Sequence, residues 1–172
     1  MGEEIGRLLK LLTRICSLFN ELKEPQPQLP LGSLVDIMSS VVYQVLSLHY
    51  KNGIVEEAIR LALLAFSSQV FVHGTSMKST HTLFASAFKE SLLHLAAPDT
   101  HHPILLWIII ICPKTVFGEE DDWWLLSWFR MLLTVHELHS WEQLRKALKQ
   151  CAWIDRLHDG IGKIIYHRAL AY

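Results

Sequence analysis

Ile104-Leu105-Leu106-Trp107-Ile108-Ile109-Ile110-Ile111-Cys112, held between Pro103 and Pro113, is the most apolar run of the chain. A helix needs about 20 such residues to cross a hydrocarbon core, so this run is too short to span a membrane. Pro103 stands where the first turn of a helix tolerates a missing N–H. The run therefore predicts a short, fully buried helix. A buried helix of this kind requires other helices or strands around it, and the flanking sequence decides which.

Outward from it, every long segment carries the helical period. Ile5, Leu8, Leu9, Leu12, Ile15, Cys16, Phe19 and Leu22 recur at steps of three and four, predicting a helix near 3–23. Pro25, Pro27 and Pro30 stop it. Ser33 with Asp36 has the form of a capping box ahead of Leu34, Ile37, Met38, Val41, Val42, Val45 and Leu46. After the turn at Lys51-Asn52-Gly53, a helix over about 54–72 points Ala58, Leu61, Ala62, Ala65 and Phe66 inward. A fourth, near 79–95, runs through Leu83, Phe84, Ala87, Leu92 and Leu95. Glu119, Glu120, Asp121 and Asp122 crowd the start of a helix over about 121–137, where the macrodipole favours acid. Ser140 with Gln143 is a second capping box and opens a helix near 141–156; a last helix follows Gly160. No run alternates with period two for long enough to make a strand. The expected fold is an all-α, single-domain bundle of about eight helices: an N-terminal amphipathic helix (1–24), a proline-rich linker (25–32) and a helical region (33–172).

Composition narrows the function classes. Of 172 residues, 51% are hydrophobic and 19% charged, which excludes disorder for most of the chain. Lys+Arg 16 against Asp+Glu 17 leaves neither the basic excess nor the basic stripe of a nucleic-acid binder. Cys16, Cys112 and Cys151 are scattered and odd in number, so they read as small buried hydrophobes rather than a disulfide framework or a zinc site. The start Met1-Gly2-Glu3-Glu4 lacks a basic region leading into an apolar core, so an intracellular protein, cytoplasmic or nuclear, is expected.

Ten histidines and six tryptophans remain to be explained. His136 and His139 are three apart but do not make HExxH. Asp155, His158 and Asp159 lie within one turn, where an Asp–His contact closing a helix end is the simplest reading. His101-His102 before Pro103 suits a loop cap. There is no nucleophile elbow and no glycine-rich phosphate loop. The run Glu119–Asp122 is similar to half of an aspartate-rich diphosphate motif, but Trp123 and Trp124 stand where more acid is needed. Neither a metal nor a cofactor is called for. Trp124 and Trp128 share a helix face, with Trp123 pointing elsewhere. Indoles and imidazoles together suit the lining of an apolar ligand's pocket or a dimer interface. The candidate ligand-binding residues are Trp107, Trp123, Trp124, Trp128 and His102; the candidate catalytic groups are His101, His136, His158 and Asp155.

Three stretches, in order, carry a family resemblance. Glu57-Ala58-Ile59-Arg60-Leu61-Ala62-Leu63-Leu64-Ala65-Phe66 is similar to an "EA-x-RLALL-x-F" helix. His102-Pro103-Ile104-Leu105-Leu106-Trp107 is similar to "HP-x-LLW". Ser140-Trp141-Glu142-Gln143-Leu144-Arg145, with Trp153-Ile154-Asp155 and His158-Asp159, is similar to "SWEE-x-R … LWID … HD". Together, over roughly 30–170, they resemble the regulatory region of fungal Zn2Cys6 transcription factors, the fungal-specific transcription factor domain 2. The resemblance implies an α-helical module that senses effectors or contacts partners, in a fungal secondary-metabolism setting. The six-cysteine zinc cluster that reads DNA in that family has no counterpart among these three cysteines. The expected function is a non-DNA-binding helical domain, a homodimer, that takes a small apolar effector or a protein partner and engages neither nucleic acid nor membrane. The alternative is a cofactor-independent cyclase, isomerase or pericyclase of the Diels-Alderase type, working in a Trp/His-lined pocket of the same scaffold.

Overall fold

A computed structural model describes residues 2–21, 31–51, 54–72, 82–95, 100–111 and 121–172. Eight helices follow one another among them: α1 Glu3–Glu21, α2 Leu31–Ser47, α3 Val55–Val72, α4 Thr82–Leu93, α5 Ile104–Ile111, α6 Asp122–Val135, α7 Trp141–Leu148 and α8 Asp155–Ala171. The described residues contain no strand. The fold is all-α, with one hydrophobic core to which every helix contributes.

The apolar run sits at the centre of that core. All eight residues of α5 are buried, because α3, α6 and α8 each pack against it. A helix surrounded in this way has no solvent side and therefore needs no polar stripe. Burying isoleucine or leucine stabilises by about 1.5–3 kcal/mol per side chain, so α5 anchors the bundle despite its length. None of the described helices is long and apolar enough to cross a membrane.

Several elements depart from the sequence-based expectation. α2 runs from Leu31, ahead of Ser33; the side chain of Ser33, and with it the expected capping box, lies outside what the structure describes. The proline segment 25–30 and Cys112–Glu120 lie outside the described residues. In α4 the inward face is Phe88, Ser91 and Leu92, continued by Leu95, whereas Leu83 is 86% exposed and Ala87 also faces solvent. The large Phe88 ring sets the rotation of this short helix, and Leu83 is turned outward with the small Ala87.

The largest departure is at the C-terminal end. The helix expected over 141–156 stops at Leu148, and the connection 149–154 turns the chain into α8, which begins at Asp155 and continues through Gly160 and Gly162. The break follows from packing. Trp153 buries its indole beside α8 and spends its N–H on Asp159, which a continuous helix through 153 would not permit. The second capping box forms as expected: the Gln143 N–H donates to Ser140 Oγ at 3.2 Å, and Gln143 Oε1 accepts from the Ser140 N–H at 3.2 Å.

Candidate functional site

The residues of the C-terminal motif converge on the 149–154 connection. Arg145, on α7, reaches across to α8. Its Nε donates to both Asp159 oxygens at 3.0 Å, and its Nη2 lies 2.7 Å from Asp155 Oδ2. Lys149 Nζ joins the same Asp155 oxygen at 2.8 Å. Trp153 Nε1 donates to Asp159 at 2.9 Å, and Trp107 Nε1 on α5 donates to the Ala152 carbonyl at 2.8 Å. Burial alone would raise the Asp159 carboxyl. The hydrogen bonds from Arg145 and Trp153, with the charges of Arg145 and Lys149, outweigh it and hold the group below the usual carboxylate range.

His158 lies 2% exposed in the first turn of α8. Its Nδ1 accepts the Ile154 N–H at 2.9 Å, so the ring proton sits on Nε2. The ring centroid lies 5.1 Å from Trp153 and 5.4 Å from Phe66. The expected Asp–His contact is thus replaced by two separate arrangements. Asp155 and Asp159 face cations, and His158 caps the helix start between aromatic rings. The "EA-x-R" stretch has a matching device: Arg60 donates from Nε and Nη2 to the two oxygens of buried Glu57, each at 2.7 Å. The motif residues Glu57, Arg60, Trp107, Arg145, Trp153, Asp155, His158 and Asp159 therefore brace the scaffold.

One residue outside any motif completes this brace. Asn20, near the end of α1, donates from Nδ2 to the Trp153 carbonyl and accepts the Asp155 N–H at Oδ1, both at 2.8 Å. Its amide satisfies the backbone of the connection as a neighbouring strand would. No sequence signal marks it, since its partners lie more than a hundred residues away. Cys16, one turn earlier on α1, is buried, and burial pushes its thiol up to about 12. Cys151 is likewise pushed up to about 12 by burial. Neither thiol is a nucleophile at neutral pH.

The remaining candidates gather elsewhere, around the turn 100–103 and α6. Trp124 and Trp128 stack obliquely, with centroids 6.4 Å apart. Trp128 Nε1 donates to the Thr100 carbonyl at 3.1 Å, and His136 Nε2 donates to the His101 carbonyl at 3.0 Å. His102 Nδ1 accepts the Ile104 N–H at 3.2 Å and so caps α5. The start of α6 is not a simply solvated acidic end. Asp121 is buried and binds Lys89 and the Trp124 N–H, and Asp122 pairs with Arg168.

The five candidate ligand-binding residues stand in different surroundings. Trp107 is in the core, His102 caps α5, and Trp124 and Trp128 are half-buried. Trp123 is 65% exposed on the outer side of α6; Met131 and Val135, further along the helix and turned about 80° and about 120° from it, are also exposed, with Ser127 between. Among the described residues, no group of three or more His, Cys, Asp or Glu is placed to hold a metal ion.

No family model, curated protein or solved structure matches this chain.

Proposed function

We propose that this chain is a helical interaction domain that does not bind DNA, taking a protein partner or a small apolar effector on the outer face of α6. The carrying observation is Trp123, whose indole stands 65% exposed on α6 beside the half-buried Trp124–Trp128 pair, with Met131 and Val135 also exposed further along the helix. Tryptophan is among the residues enriched where one protein surface meets another, and an exposed indole beside two further half-buried ones suits such a contact. The resemblance to the regulatory region of fungal Zn2Cys6 factors supports the same reading, as does the near-neutral charge of the chain. Under it, the domain works in fungal secondary metabolism as a sensing or contact module, and a second copy is the simplest partner.

Catalysis has less to draw on. His101 is exposed, His136 is bound to a backbone carbonyl, and His158 and Asp155 are engaged in the α7–α8 brace. The test pairs two readouts on the full chain: binding of the dye anilinonaphthalene sulfonate and sedimentation velocity over a concentration series. Saturable dye fluorescence or a concentration-dependent mass is expected. Either should fall in Trp123→Gln with the unfolding temperature unchanged, because an exposed side chain contributes little to folding. A Trp123→Gln chain that binds dye and sediments as the wild type does overturns the reading.

A further inference from the structure

We infer that His158 is an acid-sensitive latch: a proton taken up at its Nδ1 frees the Ile154 N–H and releases the 149–154 connection from α1 and α5. The bond that closes the latch runs backwards along α8. Ile154 stands at the N-cap with no side-chain oxygen to offer, and the His158 ring, one turn further on, accepts its N–H at 2.9 Å. Only a ring with Nδ1 unprotonated can do so. An imidazolium would set an N–H against an N–H, close to the positive end of the α8 dipole. It would also carry its charge where the residue is 2% exposed, between Trp153 and Phe66, with Trp107 beyond Phe66 at 6.2 Å between ring centroids. The ring faces attract a cation, but they give the Nδ1 proton no acceptor and do not replace the water that the charge has lost. The ring can be hydrated only by leaving that gap, and Ile154 and Asp155 move with it. Asn20 then loses the Asp155 N–H, and Trp107 loses the Ala152 carbonyl.

Among the described residues around the latch, His158 is the side chain whose type changes charge between about pH 7 and about pH 5. On α8, Asp159 is held below the usual carboxylate range, and Asp155 is bound by Arg145 and Lys149. From α7, the Arg145 guanidinium is raised further by its bond to Asp159. From α1 come the Cys16 thiol, pushed up to about 12 by burial, and the uncharged Asn20 amide; Cys151 in the connection is likewise pushed up to about 12. α3 presents Phe66, with the bonded pair Glu57–Arg60 more than one turn earlier. α5 presents Trp107 and otherwise aliphatic side chains, and the Asp122 carboxylate of α6 meets α8 at its other end, on Arg168. The sign of the effect follows. The fold accepts the neutral ring, whereas the unfolded chain takes up the proton at about pH 6.5. The stability that the latch supplies is therefore complete above that value and is lost as pH falls below it.

The test follows the full chain from about pH 7 to about pH 5 by amide hydrogen exchange, corrected for the intrinsic effect of pH on exchange, and by the ring resonances of His158. Protection over 149–158 is expected to fall by up to about tenfold per pH unit below about pH 6.5, while α3 and α5 keep theirs. The ring should stay neutral, with its proton on Nε2, until that protection is lost. His158→Asn supplies a side-chain oxygen near the place of Nδ1 and does not titrate, so its protection should not change over this range. A chain in which the exposed His101, His139 and His167 are all replaced by Gln should keep the wild-type step. Unchanged wild-type protection over 149–158 at about pH 5 overturns the proposal, and so does an imidazolium that forms with the Ile154 amide still protected. A His158→Asn chain that folds and shows the wild-type step overturns it too; if that variant does not fold, the two wild-type readouts decide.

Discussion

Gly162 lies directly under the Trp141 indole. A Cβ at position 162 would stand 2.8 Å from Trp141 Cη2 and 3.0 Å from Trp153 Cη2, both far inside van der Waals contact. Two tryptophans twelve residues apart thus close over one point of α8, and only glycine leaves room for them. Gly160, two residues earlier, has nothing within 4 Å of its missing Cβ. The two glycines should therefore respond in opposite directions to the same change. Gly160→Ala should raise stability by up to about 1 kcal/mol, the helix-propensity gain alone. Gly162→Ala should lower it, because overpacking costs about 1–3 kcal/mol and Trp153 is pinned through its N–H to Asp159. Thermal unfolding of the two variants side by side checks the pair; matching shifts would mean that the Trp141–Trp153 closure is not what holds position 162.

Glu137 ends α6 in a conformation suited to glycine, with φ at 54°. The Leu138 N–H donates to the Leu133 carbonyl and the Glu137 N–H to the Thr134 carbonyl, the two bonds of a Schellman cap around His136. A left-handed residue with a Cβ costs about 1–2 kcal/mol, part of which glycine returns as a freer unfolded chain. Glu137→Gly should stabilise by about 0.5–1 kcal/mol by the same balance. Denaturant unfolding with an unchanged slope would confirm it.

Acid should loosen the α7–α8 brace. Asp159 titrates below the 3.8 of a free aspartate, so its ionised form is favoured by the fold. The stability it supplies is complete above about pH 4 and is lost as pH falls through the lowered folded value. Asp159→Asn should be less stable than wild type at neutral pH and lose less of its stability on going from about pH 6 to about pH 2. Unfolding temperatures measured across that range test the point, and parallel acid limbs for the two proteins would refute it.

Asn20 ties α1 to the connection with two hydrogen bonds of 2.8 Å. Asn20→Ala leaves a carbonyl and an N–H of a half-buried turn without their partner, at a cost of about 1–3 kcal/mol. Asn20→Asp should be nearly as harmful, since a carboxylate can accept the Asp155 N–H but cannot donate to the Trp153 carbonyl. Near-wild-type stability for both variants would show that the connection is held by its ion pairs alone.

Periodicity along the chain was sufficient for the helical class, for the burial of Ile104–Ile111, for the inward face of α3 and for the Ser140–Gln143 cap. These depend on residues within a few positions of one another, and local spacing carries that information. The break at Leu148 and the passage of α8 through Gly160 and Gly162 depend on Trp141 and Trp153 meeting one glycine, which no local rule contains. The candidate site shows the same division. Asp155, His158 and Asp159 were legible as a polar group within one turn, and so were candidates for chemistry. Arg145, Lys149, Ile154 and Trp153, brought in from the preceding helix and connection, turn them into a brace. Conversely, six tryptophans were visible as an excess, but not which of them faces water. Exposure is a property of what packs alongside, and only the assembled bundle, with α5 enclosed and α6 at its edge, leaves Trp123 outside.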